Sequence, residues 1–171
     1  PEACCFPNGS CSDIAASACA LAGGVAGGPA SSCTPNICPQ PPPNDNCANR
    51  IPVTDGQTPF DRTNASTDGA PHATAPCNFP VGDDQIHRDV ATCTGRLFVD
   101  TCADVGIDTR IAVYDGCSCP PIADPIGCND DSGGAGGDAD DPDLCNQFGG
   151  SPFESATDLQ VIAGNCYKIR V

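Results

Sequence analysis

Six aspartates fall within fourteen residues: Asp130, Asp131, Asp138, Asp140, Asp141 and Asp143, in a run opened by Asn129 and loosened by Gly133, Gly134, Gly136 and Gly137. Calcium takes six to eight hard oxygen ligands from a flexible backbone, and this loop offers carboxylates and carbonyls in surplus. Asp115, after Tyr114, is a further ligand expected to approach the same site. The segment is not an EF-hand, because no Glu closes it and no helix flanks it. The competing reading is a solvated acidic loop held open by its own repulsion. Calcium is the one cofactor the sequence suggests.

Other reactive combinations fare worse. Asp131-Ser132-Gly133-Gly134 resembles the nucleophile loop of chymotrypsin-like proteases, and His87, Asp108 and Ser132 could be read as a triad in that order. No Gly precedes the Asp, neither His72 nor His87 has the expected surroundings, and residues 44–171 are too few for two six-stranded barrels. Carboxylate pairs such as Asp83-Asp84 arise by chance among 20 Asp, and without Trp there is nothing broad to stack a sugar. No enzyme is expected. Asn8-Gly9-Ser10 and Asn64-Ala65-Ser66 fit the N-glycosylation pattern, which makes Asn8 and Asn64 candidate acceptors, and the Ser/Thr-rich stretch 58–74 a candidate glycan-bearing surface.

The 15 cysteines decide the compartment. No C-x-x-C pair occurs and the two histidines lie far apart, so zinc spacing is absent. What remains is a disulfide framework made in an oxidising compartment, hence a secreted or cell-surface protein. Cross-links must supplement a lean core, since Met and Trp are missing and only two Tyr are present. The net charge of −15, with 20 Asp against a single lysine, repels nucleic acid and anionic membranes. No apolar run approaches the ~20 residues of a membrane span.

The cysteines also mark the chain's organisation. Cys4, Cys5, Cys11, Cys19, Cys33 and Cys38 precede Pro39-Gln40-Pro41-Pro42-Pro43, which reads as a stiff polyproline spacer over 39–43. The six cysteines of 1–38 can close internally in about 15 ways. Asp13 to Ala22 reads as a short helix capped by Ser12 and stopped by Gly23-Gly24, followed by a loop to Ser32. In 44–171, alternating segments recur between turn residues. Leu97 and Val99 share a face, as do Ile111 and Val113, Leu159 and Val161, and Tyr167, Ile169 and Val171. This predicts an all-β antiparallel sandwich or jelly roll. Nine cysteines fall in 44–171, so at least one is free or bonded to another molecule. Cys93 and Cys102 flank one strand and would stand about 30 Å apart at ~3.3 Å per residue. A bridge spans only ~6 Å, so both are expected to bond elsewhere, stapling the strand's two ends. Cys128 and Cys145 flank the acidic loop and are the favoured pair, worth roughly 3 kcal/mol in the chain-entropy model.

Those residues carry a family likeness. Ala3-Cys4-Cys5-Phe6-Pro7-Asn8-Gly9-Ser10-Cys11 with Cys19, Gly23-Gly24, Cys33 and Cys38 resembles a small cysteine-rich module of large secreted bacterial proteins. From Asn44-Asp45-Asn46-Cys47-Ala48 onward the chain is similar to the domains that often follow it. The stretches Thr92–Gly95, Asp108–Cys117, Cys128–Asp131 and Cys166–Val171 resemble the bacterial pre-peptidase C-terminal class of jelly-roll β-sandwich. The resemblance implies a non-catalytic accessory fold, and fold is a poor guide to role. An aromatic strand expected in that class between Asp89-Val90 and Ala91-Thr92 is missing here. Its loss would leave an open edge that invites a strand from another chain.

The chain is therefore expected to be a structural subunit or repeat of an extracellular fibre or surface layer, with other copies of itself as the main partner and head-to-tail contacts. Blunt, apolar-closing ends, the odd cysteine and the rigid spacer support that expectation. The alternative is an accessory or adhesive module of a larger secreted hydrolase, with glycans or other surface proteins as partners.

Overall fold

The computed structural model describes residues 1–66, 86–102, 107–119, 124–131, 145 and 153–171; of residues 86–89 it describes the backbone only. The N-terminal module is a three-stranded sheet in the order β2-β1-β3, made of β1 (Glu2–Cys5), β2 (Cys11–Ile14) and β3 (Val25–Ala26). Between β2 and β3 lies α1 (Ala16–Leu21). The helix is shorter than the spacing predicts. Ser12 and Asp13 pair with Cys4 and Ala3 across an antiparallel ladder, and Asp13 Oδ1 accepts from Cys33 N at 2.9 Å. A strand partner supplied by the turn at Asn8-Gly9 outweighs Ser12's capping tendency, and Ala15 stands at the N-cap with no side-chain bond. The stop at Gly23 holds, at φ +77°. The Gly/Ala-rich segment after it is less of a loop than expected, since Val25 and Ala26 pair with Cys5 and Cys4.

Three bridges close this module on itself: Cys4–Cys19, Cys5–Cys38 and Cys11–Cys33. Its buried apolar residues are Ala3, Cys4, Cys19 and Cys38, so cystine sulfur forms the core. The proline-rich segment behind it is irregular backbone, and Gln40 Nε2 ties it back by donating to the carbonyls of Gly9 and Cys38, each at 2.9 Å.

In the remainder, a larger and a smaller sheet contribute to one apolar cluster. The larger runs β4-β5-β10-β7-β8, from β4 (Ile51–Pro52), β5 (Ile86–Val90), β7 (Ile111–Asp115), β8 (Gly127–Asn129) and β10 (Cys166–Arg170). All its pairs are antiparallel except β4 with β5. The smaller pairs β6 (Gly95–Asp100) with β9 (Ala156–Val161). Ile111, Val113, Tyr167 and Ile169 from the first meet Leu159 and Val161 from the second, with Leu97, Val99 and Val171 against them. The alternating residues of the sequence are thus the core, and the β-rich, antiparallel expectation holds. β7 is covered on both faces rather than one, because Ala112 and Tyr114 are buried with Cys128 on the outer side. The chain passes from β5 to β6, and so from one sheet to the other, through residues 91–94.

The outer side also buries the only lysine. Lys168 is 1% exposed. Its Nζ donates to the Ser118 carbonyl and lies 5.6 Å from the centre of the Tyr114 ring. Nearby, Arg50 Nη1 donates to the Cys47 carbonyl at 3.1 Å and reaches Cys119 Sγ at 3.2 Å, beside the Cys47–Cys119 bridge. Burial, and then the Arg50 charge, hold Lys168 below the ordinary lysine value of 10.5. The folded state then binds this proton less tightly than the unfolded chain, so stability climbs with pH from the depressed folded value up to 10.5. Lys168→Met should flatten that alkaline rise. Melting curves between neutrality and pH ~10 would show it, in a Cys93→Ser background that removes the thiol able to drive exchange at alkaline pH. An undiminished slope would locate its source elsewhere.

Candidate functional site

The register of β7 and β8 builds an acidic corner. Ile111 pairs with Asn129, so the residues just outside each strand, Arg110 and Asp130, become neighbours. Arg110 Nε donates to Asp130 Oδ1 at 2.6 Å. Asp108 and Asp131 complete the group, with carboxylate oxygens of the three acids within 4.8 Å of one another. Burial raises the Asp131 pKa above the usual carboxylate range; the Asp130 and Asp108 charges add to this, and Arg110 opposes it.

A buried polar network holds the corner from beneath. Thr101 and Thr109 hydroxyls share a hydrogen bond at 2.6 Å, and Ser155 N donates to both oxygens at 3.0 Å. Ser155 Oγ lies 2.5 Å from the carbonyls of Thr109 and Asp130, its one proton serving either. Asn129 Oδ1 accepts from Ala156 N at 3.0 Å. Glu154 is fully buried in the same stretch. These contacts tie the ends of β7 and β8, beside the three acids, to the start of β9. Chemically, the corner concentrates hard oxygen around one cation, Arg110, and a divalent ion is the species such a group would take.

Of the ligands expected from sequence, Asp130 and Asp131 converge here. Asp138, Asp140, Asp141 and Asp143 lie outside the described residues. Asp115 does not belong: it ends β7 at the far side, paired with Tyr167, some five residues or about 16 Å along the strand from Asp130. Asp108 was missed, because only the β7–β8 pairing brings it beside Asp130.

The cysteines are also redistributed. Cys145 bonds Cys102, not Cys128, closing 43 residues. Cys102 follows β6 and Ala156 begins β9 opposite Asp100, so Cys145, Cys102 and Ala156 pack together. Cys128 is bridged, but not to Cys145. Cys166 bonds Cys117, and Cys47 bonds Cys119. Cys93, expected to staple the head of β6, is instead a free and exposed thiol. Its separation from Cys102 by the length of β6 is as the spacing requires.

Both sequon asparagines are exposed. Asn8 Oδ1 accepts from Ser10 N and Ser10 Oγ at 3.1 and 2.7 Å. Asn64, at φ +61°, donates to the Gln40 carbonyl at 3.5 Å, while Ser66 Oγ donates to Asp45 at 2.6 Å. Most of the stretch 58–74 beyond Ser66 lies outside the described residues. Among the described residues no helix is long and apolar enough to cross a membrane. No protein-family model, no curated protein and no solved structure matches the chain.

Proposed function

We propose that this chain is a non-enzymatic structural subunit of an extracellular or cell-surface fibre, with copies joined head to tail. One observation carries the reading: among the described residues the smaller sheet pairs β6 with β9 alone, and neither strand has a second neighbour there. Unpaired ladder groups at such an edge are a template for a strand from another copy. The disulfide framework supports an oxidising, external location. A jelly-roll fold of the pre-peptidase C-terminal class, which the resemblance of Thr92–Gly95, Asp108–Cys117, Cys128–Asp131 and Cys166–Val171 implies, suits that role. Size-exclusion chromatography with negative-stain microscopy tests the reading. Concentration-dependent oligomers or filaments are expected, and a lone ~17 kDa species under all conditions would refute it.

Calcium is proposed as the occupant of the Asp108–Asp130–Asp131 corner. Millimolar calcium should raise the melting temperature of the wild type by several degrees, as ligand linkage requires. Asp130→Asn with Asp131→Asn should abolish that increment. An equal calcium effect on both proteins would rule the corner out.

A second reading has its own support. A cleft of about 330 Å³ opens between the proline-rich segment and the irregular segment 59–64, lined by Pro42, Pro43, Phe60, Asp61 and Asn64 among others, with Ile51 of β4. Its mix of apolar and polar groups suits an accessory, adhesive module of a larger secreted hydrolase.

A further inference from the structure

In a chain with 22 acidic side chains against seven Lys and Arg, a cation readily finds a carboxylate. Two cations do not. Among the described residues no carboxylate lies in ion-pair range of Lys168 or Arg50. Lys168 is buried, and a buried lysine without a counter-charge is a costly arrangement. Arg50 Nε is buried as well and has no hydrogen-bond partner among the described residues.

Both cations converge on one disulfide. Arg50 Nη1 stands 3.2 Å from Cys119 Sγ while donating to the Cys47 carbonyl at 3.1 Å. Lys168 Nζ donates to the Ser118 carbonyl, and Cys47 Sγ lies 4.0 Å from that same oxygen. Arg50 thus borders one sulfur of the Cys47–Cys119 bridge, and Lys168 shares an oxygen with the other. A neighbouring cation lowers a thiol's pKa and makes its thiolate the faster leaving group in exchange. Access singles out the same bridge. Cys119 is exposed, whereas every other bridged cysteine among the described residues is buried or half-buried. Little else holds the segment that the bridge anchors. Its strand β4 pairs only Ile51 and Pro52 with β5, at the edge of the larger sheet, and Pro52 has no amide hydrogen to donate.

We propose that Cys47–Cys119 is a redox latch, opened by a dithiol reductant while the other bridges stay closed, and that its opening releases the edge strand β4. The reductant's first thiolate attacks the exposed Cys119 Sγ. The bond between the two sulfurs breaks, and its electron pair leaves on Cys47 Sγ, on the Lys168 side. The reductant's second thiolate then attacks its own sulfur in the mixed disulfide and frees Cys119 as a thiolate beside Arg50. Two electrons pass to the bridge, the reductant becomes a disulfide, and its two thiol protons go to solvent or to the new thiolates. Those thiolates supply the negative charge that Lys168 and Arg50 lack in the closed form. The latch goes beyond the fibre reading and stands whether or not copies associate.

The test uses the full chain in a Cys93→Ser background, which removes the competing free thiol. Dithiothreitol is added at neutral pH without denaturant, aliquots are alkylated, and the labelled cysteines are mapped by mass spectrometry. Cys47 and Cys119 should be labelled about tenfold faster than Cys117 and Cys166, whose bridge starts two residues from Cys119. Arg50→Gln removes the charge and should slow that opening roughly fivefold, with the Cys117–Cys166 rate unchanged. Arg50→Lys should restore most of the rate, and circular dichroism checks that both variants fold. With only this bridge open, amide exchange should quicken across residues 47–51 and stay slow in β10. Opening no faster than that of Cys117–Cys166 overturns the latch. An Arg50→Gln variant that opens at the wild-type rate also overturns it, because exposure alone would then be the cause. Protection of 47–51 that survives selective reduction overturns the release of β4.

Discussion

Reduction of the folded protein under otherwise native conditions should erase the structure of residues 1–38 before that of the β7–β10 core. Amide protection is expected to vanish across residues 1–38 while β7 and β10 still retain slow exchange, as hydrogen exchange read by mass spectrometry would show. The reason is compositional. A segment of under 40 residues buries too little surface to fold unaided, and the apolar interior here is Ala3 with three cysteines. Opening the bridges leaves no side chains to replace the lost packing. The β7–β10 core, by contrast, has Ile111, Val113, Tyr167 and Ile169. Gly24→Ala should produce a milder form of the same defect. A Cβ there would run into Cys4 Sγ and stand 3.0 Å from Cys19 Sγ, so the first bridge must shift. Protection in 1–38 that persists with all thiols alkylated would contradict this account.

The second large effect is expected from Cys47→Ser with Cys119→Ser. This bridge closes 72 residues, the longest loop among the described bridges. The chain-entropy model assigns such a loop about 4 kcal/mol. The pair also clamps the segment around Asn44–Arg50 beside buried Lys168 and Tyr114. The double variant should lose on the order of 10 °C in melting temperature, read by calorimetry, without loss of β structure in far-ultraviolet circular dichroism. A loss of only a degree or two would mean that the clamp is strained or that the reduced chain keeps the same contacts.

Strands were legible where a face alternates. Leu97 with Val99, and Leu159 with Val161, announce themselves because one side of the β6–β9 sheet meets the core and the other meets water. The Ser12–Ile14 segment was not, since its local preference for capping a helix is overridden by a partner strand brought back by a turn. Bridge connectivity was illegible for the same reason. Cys145 and Cys128 flank one loop, but which sulfur each meets depends on how β6 and β9 pair, and spacing does not encode that. In the acidic corner, Asp130 and Asp131 stood out by density, whereas Asp108 needed the β7–β8 register to acquire meaning.

The contrast between short-range and long-range bridges has a consequence for maturation. Every bond of the first 38 residues can be made while the rest of the chain is still being delivered, because both partners of each have already arrived. Cys47, Cys102 and Cys117 must wait for Cys119, Cys145 and Cys166. A chain delivered N-terminus first would thus pass through a half-oxidised stage, its leading knot finished and its trailing sulfurs still exposed to the wrong mates, and an isomerase acting late would serve it better than one acting early.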